Sequence, residues 1–113
     1  MKKIEAYIRP EKLDAVIDAL ERGGFPGVSV TESKGLGKQR GEAKEWHGQM
    51  QPRVYRPKIR LDIVAHDKDA NRIANTIAEA GQTQEYGDGK IFILPVEDAI
   101  RIRTRQRGEI ALD

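Results

Sequence analysis

The chain has no cysteine. Disulfide staples and thiolate metal sites are therefore excluded, and the composition suits a reducing cytosol without demanding one. Long apolar runs are missing as well. The opening MKKIEAYIRPEK alternates apolar with polar residues and then meets a proline, so neither a signal peptide nor a membrane span is expected there, and the protein should be soluble and cytoplasmic. An excess of one charge sign is also absent: 20 Lys and Arg face 18 Asp and Glu, for a net +2. This near-balance is not the concentrated cation excess of a dedicated DNA-binding domain, and no nucleic-acid partner is expected. The two histidines, His47 and His66, stand apart from any ligand-spaced neighbour, so a metal held by protein side chains alone is not expected. No nucleophile, base and orienting group occur in a recognisable arrangement, which argues against catalysis as the main task. Internal repeats and low-complexity tracts are lacking too.

What is present is periodicity. At 113 residues, the chain is read as a single domain spanning 1–113. Apolar residues make up 38% and charged residues 34%, a polar balance that favours burial against further subunits. Ile4, Ala6 and Ile8 alternate with Lys3, Glu5 and Tyr7, the period of a half-buried strand. Pro10 then opens a helix whose stripe is Leu13, Val16, Ile17 and Leu20, ending at Gly23 and Gly24. Val28 and Val30 begin a second strand that runs toward Gly35 and Gly37. Ile59, Leu61 and Ile63 alternate with Lys58, Arg60 and Asp62 in a third strand, expected to pair with the second as a hairpin. Asp67 or Asp69 is the expected cap of a second helix with the stripe Ala70, Ile73, Ala74, Ile77 and Ala78, closed by Gly81. A glycine loop, IFILPV as a fourth strand and IRIR as a short extended piece complete the chain. The order βαββαβ predicts an α+β sandwich, with a four-stranded antiparallel sheet carrying both helices on one face. Val64, Phe92 and Leu94 sit on the other parity, so the bare face is expected to be buried in a homo-oligomer.

Three places offer chemistry. The segment 37–55 far exceeds the roughly 12–15 residues beyond which structureless loops are usually functional or disordered, and its polar composition predicts mobility until something holds it. A tolerated surface insertion is the plainer alternative. Its entry, KGLGKQRG, offers Gly35, Gly37 and Gly41 for close backbone approach to an anion and Lys38 and Arg40 for charge, but matches neither the P-loop nor the dinucleotide fingerprint. The loop 82–90, with Gly87, Asp88, Gly89 and Lys90, reads equally well as a plain turn or as a phosphate cradle. In a strand, Arg101 and Arg103 would share a face about 7 Å apart, suited to phosphate or simply to water. Together, two glycine-cation loops and an arginine pair point to a triphosphate-sized anion, hence a nucleotide.

Those motifs resemble the PII signal transduction family over nearly the whole chain. The likeness is carried by Thr83-Gln84-Glu85-Tyr86-Gly87-Asp88-Gly89-Lys90-Ile91-Phe92-Ile93 and by the loop entry from Lys34 to Gly41, with the cations exchanged at 38 and 40. The resemblance implies a compact homotrimer of ferredoxin-like subunits in which ATP and ADP compete for clefts between neighbours. It assigns Gly35, Gly37, Lys38, Gln39, Gly87, Asp88, Gly89 and Lys90 to the nucleotide from one subunit, with Arg101 and Arg103 reaching in from the adjacent subunit. Ser29, Asp62 and Val64 would lie around the adenosine. It also implies 2-oxoglutarate beside Mg-ATP, with Gln39 helping to hold Mg2+, Lys58 pairing a carboxylate and the backbone of Gln39, Arg40 and Gly41 assisting. Lys58 also reads as an ordinary strand cation. The segment 37–55 would be the partner-binding loop, with Trp46, His47, Met50, Arg53 and Tyr55 at its tip and return. Its targets would be a transporter, a metabolic enzyme or a regulatory kinase, reaching a membrane only through a membrane-protein partner. The positions that other members modify are Gln49 and Gln51 here, so covalent control is not expected. A sensor for a non-nitrogen target and a slow ATPase remain the alternatives.

Overall fold

The computed structural model describes residues 1–25, 27–36 and 53–113, with the backbone of 45–46 and 49–50. The elements follow in the order β1 (Lys2–Ile8), α1 (Leu13–Arg22), β2 (Ser29–Gly35), β3 (Glu45–Trp46), β4 (Gln49–Met50), β5 (Arg56–Ala65), α2 (Asp67–Gly81) and β6 (Lys90–Pro95). Short 3-10 turns, Pro10–Lys12 and Gly108–Leu112, precede α1 and end the chain.

Local chemistry explains most boundaries. Pro10 supplies the fixed φ of a first helical turn, and the amide of Lys12 donates to the Arg9 carbonyl at 3.0 Å. At the far end of α1, Gly24 takes φ +83°, and the amides of Gly23 and Phe25 donate to the carbonyls of Ala19 and Leu20. Arg72 of α2 stacks over the Phe25 ring at 4.2 Å and fastens this turn to the neighbouring helix. The start of α2 corrects the expected cap: His66 holds the N-cap position without a side-chain bond to the helix's own amides, while Asp67 and Asp69 lie inside the first turn. With only His66 between the end of β5 and the helix, both aspartates are already helical, and their charges favour the positive end of the helix dipole instead.

The sheet order is β2-β5-β1-β6, with every pairing antiparallel. Ile4, Ala6 and Ile8 of β1 and Ile59, Leu61, Ile63 and Ala65 of β5 face the helices, where Val16, Leu20, Ala70, Ile73 and Ile77 close the core. The result is the ferredoxin-like α+β arrangement that the periodicity predicts. β2 and β5 are antiparallel neighbours, as expected, with Gly35 opposite Arg56 and Ser29 opposite Asp62.

The opposite face carries Val64, Lys3 and Leu94 in one row across β5, β1 and β6, then Asp62, Glu5 and Phe92, then Arg60, Tyr7 and Lys90. Its four central charges pair among themselves: Lys3 with Asp62 at 3.2 Å, Arg60 with Glu5 at 2.7 Å and Arg60 with Asp62 at 3.0 Å. Burial works to raise the Asp62 carboxyl, but hydrogen bonds from Arg60 and Lys3 hold it below its ordinary range. Around them Val64, Phe92 and Leu94 are exposed, and Phe92 meets Tyr7 edge-on at 6.4 Å.

Two further features depart from expectation. Within the segment 37–55, Glu45 pairs with Met50 and Trp46 with Gln49 in a two-stranded ladder that no periodicity signals. IRIR is not extended: Ile100 bridges to Arg107, and Ile102, Arg103 and Thr104 form a turn. The cause lies in Asp98, which accepts from the Ala99 amide at 2.8 Å and the Gly108 amide at 3.1 Å and pairs with Arg107 at 2.9 Å. This folds the chain back on itself, so the strand spacing assumed for Arg101 and Arg103 does not apply.

Candidate functional site

A cavity of about 570 Å3 opens at the end of the sheet where β2 leaves and β5 enters, beneath the loop before β6. Its size is within the usual range for small-molecule sites. The pairing of Gly35 with Arg56 and Ser33 with Lys58 sets its floor. A Cβ at Gly35 would stand 3.3 Å from Cγ of Lys58, so glycine there leaves room for the lysine stem.

The loop over the cavity is built around Asp88. Its carboxylate accepts from the Thr83 hydroxyl, from the Thr83 amide at 2.8 Å and the Gln84 amide at 2.9 Å, and from Nε of Arg9 at 2.9 Å. The Thr83 hydroxyl bond leads in holding this carboxyl well below the usual carboxylate range; burial works against it, and the Thr83 amide, Arg9 and the Gln84 amide add to the lowering. Arg9 also donates to the Tyr86 carbonyl at 2.7 Å and so ties the loop to the end of β1. Gly87 and Gly89 take φ +96° and +103°. A Cβ on Gly89 would lie 1.8 Å from the Tyr7 carbonyl oxygen, a backbone contact with no freedom to yield. The Lys58 amine donates to the Gly87 carbonyl. Burial lowers its pKa, and the neighbouring Arg9 charge lowers it further. Gly35, Lys58, Gly87, Asp88, Gly89 and Lys90 thus line one cavity with Arg56, giving backbone that anions can approach and cations to receive them.

The remaining predicted residues fall elsewhere. Ser29 and Asp62 are a cross-strand pair and Val64 lies one row beyond, near the far end of the sheet. The length of β2, about 20 Å at the usual rise, separates Ser29 from Gly35. Arg101 and Arg103 follow after β6 has crossed to that far end. Gly37, Lys38, Gln39, Arg40, Gly41 and His47 lie outside the described residues, and Trp46 and Met50 are described by backbone alone. Arg53 and Tyr55 are exposed on the return to β5. Arg9 is the site residue that sequence reasoning missed. Its only local signal is a cation between the end of β1 and Pro10, and its partners Asp88 and Tyr86 are distant in the chain. Among the described residues, no helix is long and apolar enough to cross a membrane.

The family model described as Nitrogen regulatory protein P-II matches residues 1–106. Proteins named "Nitrogen regulatory protein P-II" are 46% identical over 112 residues in Cereibacter sphaeroides and 45% over 112 residues in Rhodospirillum rubrum, each match covering 99% of this chain and 100% of the relative. A "Nitrogen regulatory protein P-II 2" of Methanothermobacter thermautotrophicus is 44% identical over 116 residues, covering 99% of this chain and 97% of its own. Matches of this extent, on this topology and through the glycine loop that closes the cavity, mean that the chain belongs to the nitrogen regulatory protein P-II family.

Proposed function

We propose that this chain is a cytoplasmic, non-enzymatic signalling protein that binds ATP or ADP between the subunits of a homotrimer and regulates target proteins through residues 37–55. The observation that carries this reading is the split of the candidate residues between the two ends of the sheet. Gly35, Gly87, Gly89 and Lys90 border an open cavity at one end, while Ser29, Asp62 and Val64 lie near the other, beyond which Arg101 and Arg103 follow. About 20 Å of strand separates the sets, so one chain brings only half of a nucleotide site to any ligand, and a second copy supplies the rest. The exposed apolar residues Val64, Phe92 and Leu94 give the copies a surface to share.

Within that site Gly87, Gly89, Gly37 and Lys38 surround the phosphates, Gln39 helps to hold Mg2+ when ATP is bound, and 2-oxoglutarate sits beside it with a carboxylate on Lys58. Arg9 stands beside Lys58, and two cations with a metal ion offset the repulsion between a dianion and a triphosphate. Signalling follows from differential affinity, because a ligand shifts the 37–55 segment only by the free energy with which it prefers one of its states.

The test is calorimetric titration of ATP and ADP, with and without Mg2+ and 2-oxoglutarate, paired with sedimentation velocity. Saturable binding of one nucleotide per chain to a trimer is expected. No heat with either nucleotide, or a monomer that binds fully, overturns the reading. A second reading, a sensor whose target lies outside nitrogen metabolism, such as a transporter, is favoured by Gln49 and Gln51 at the positions modified elsewhere in the family. Nucleotide-dependent recovery of an ammonium channel from a lysate would count against it.

A further inference from the structure

Arg101 is already engaged by its own chain. Its Nη1 donates to Oε1 of Gln106 at 2.6 Å, and its Nη2 donates to the carbonyls of Ile110, at 2.9 Å, and Asp113. Both outer nitrogens of the guanidinium fork, the atoms that grip a phosphate bidentately, are therefore turned onto the segment that follows. Arg103 lies exposed in the turn beside it.

The same segment is held from its other side by His66. Nε2 of His66 is 3.1 Å from Oδ1 of Asp113, and Nδ1 is 3.7 Å from Oε1 of Glu109. Both ring nitrogens thus face carboxylates. A neutral imidazole can donate from only one of them, and the protonated ring donates from both. The other charges near His66 belong to the start of α2 and to β1: Asp67 is next in sequence and is bonded to the Met1 amino group at 2.9 Å, with Lys2 close to Asp67. These opposite charges pair with one another and leave Glu109 and Asp113 as the groups that answer to His66.

We propose that residues 105–113 form a proton-responsive latch, gripped by His66 and Arg101, which must release Arg101 before that side chain can take an anion. The anion in question is the nucleotide phosphate of the preceding section, so this coupling rests on that reading, whereas the latch itself does not. The direction follows from the Asp113 hydrogen bond, which, with the charges of Asp113 and Glu109, raises the His66 pKa above its ordinary 6.5. A group raised in the latched state strengthens that state fully below its ordinary value and loses its effect as pH rises through the raised one. Acid therefore closes the latch and withholds Arg101, and mild alkali frees it.

The test uses the full chain, its His66→Gln variant and its Asp113→Asn variant. Without nucleotide, NMR follows the His66 ring and the exchange of the Gly108 and Asp113 amides, corrected for intrinsic pH dependence, between pH ~6 and ~8. The proposal expects His66 to titrate above its ordinary value and protection of those amides to fall with rising pH only in the unaltered chain. An ordinary His66 titration, or the same exchange profile in all three proteins, overturns it. ATP titrations at the two pH values then read the coupling, with both variants controlling for protonation of the nucleotide itself. The unaltered chain should lose about two- to fivefold more affinity on acidification than either variant. An equal loss in all three removes the coupling. An absence of ATP binding at any pH overturns the nucleotide reading, and the exchange data still decide the latch.

Discussion

Replacing Gly89 with alanine tests the construction of the cavity most directly. The added methyl would lie 1.8 Å from the Tyr7 carbonyl oxygen and 2.8 Å from its carbon, and φ at this residue is +103°. Two penalties combine. A left-handed conformation costs an L-residue with a side chain about 1–3 kcal/mol, and forcing a methyl into packed backbone costs about 1–3 kcal/mol more. The β1 carbonyl cannot rotate away without breaking its ladder to β6, so the loop must lift. Gly24 separates the two terms, because its φ is +83° but nothing lies within 4 Å of its would-be Cβ. Gly24→Ala should therefore show the backbone penalty alone, and Gly89→Ala about 2–6 kcal/mol in total. Urea unfolding reads both variants against the parent chain, with ΔG compared at matched slopes. A Gly89→Ala protein that unfolds at the same midpoint as Gly24→Ala and binds ATP as tightly as the parent chain refutes the account of this loop.

Asp88→Asn removes a carboxylate whose depressed pKa stabilises the fold above its ordinary 3.8 and loses that effect as pH falls through the depressed value. The variant should be less stable at neutral pH, with a flatter midpoint between pH ~5 and ~2 than the parent chain; parallel curves would show that Asp88 does not fasten the loop. Lys58→Met should weaken 2-oxoglutarate binding about tenfold or more, the loss of a charge-assisted contact worth roughly 1.5–3 kcal/mol, and unchanged affinity in calorimetry would remove Lys58 from that site. Leu94→Lys places a second cation opposite Lys3 on the exposed sheet face. It should shift the sedimentation profile toward monomer, and a profile identical to the parent's would mean that this face is not shared.

Elements whose signal is periodic are legible in the sequence. The alternation in β1 and β5 and the stripes of α1 and α2 record which atoms leave water, and burial follows them at Val16, Leu20, Ala70, Ile73 and Ile77, while Leu13, Ile17 and Ala74 are partly buried and Ala78, at the margin of its stripe, is exposed. Features set by encounters between distant segments are not legible there. Arg9 gains its role only because β1 and β6 are sheet neighbours, which carries its guanidinium to Asp88. IRIR has the alternation of a strand, yet capture of Gly108 and Arg107 by Asp98 decides its shape, and nothing in four residues encodes a partner further along. Gly89 reads as one turn glycine among several until the Tyr7 carbonyl is found against it. The family resemblance points to the glycines and lysines that the cavity gathers, and it passes over Arg9, which tertiary neighbours hold in place.

The four interlocked charges on the open sheet face bear on how copies would meet in the proposed homotrimer. Lys3, Glu5, Arg60 and Asp62 sum to zero and satisfy one another within a single chain. A centre that is electrically closed on itself asks no counter-charge of a neighbour, so a contact made over these four residues would be chosen by the relief of Val64, Phe92 and Leu94 around them. Assembly through such a face should respond little to added salt and strongly to a change in the contour of its side chains.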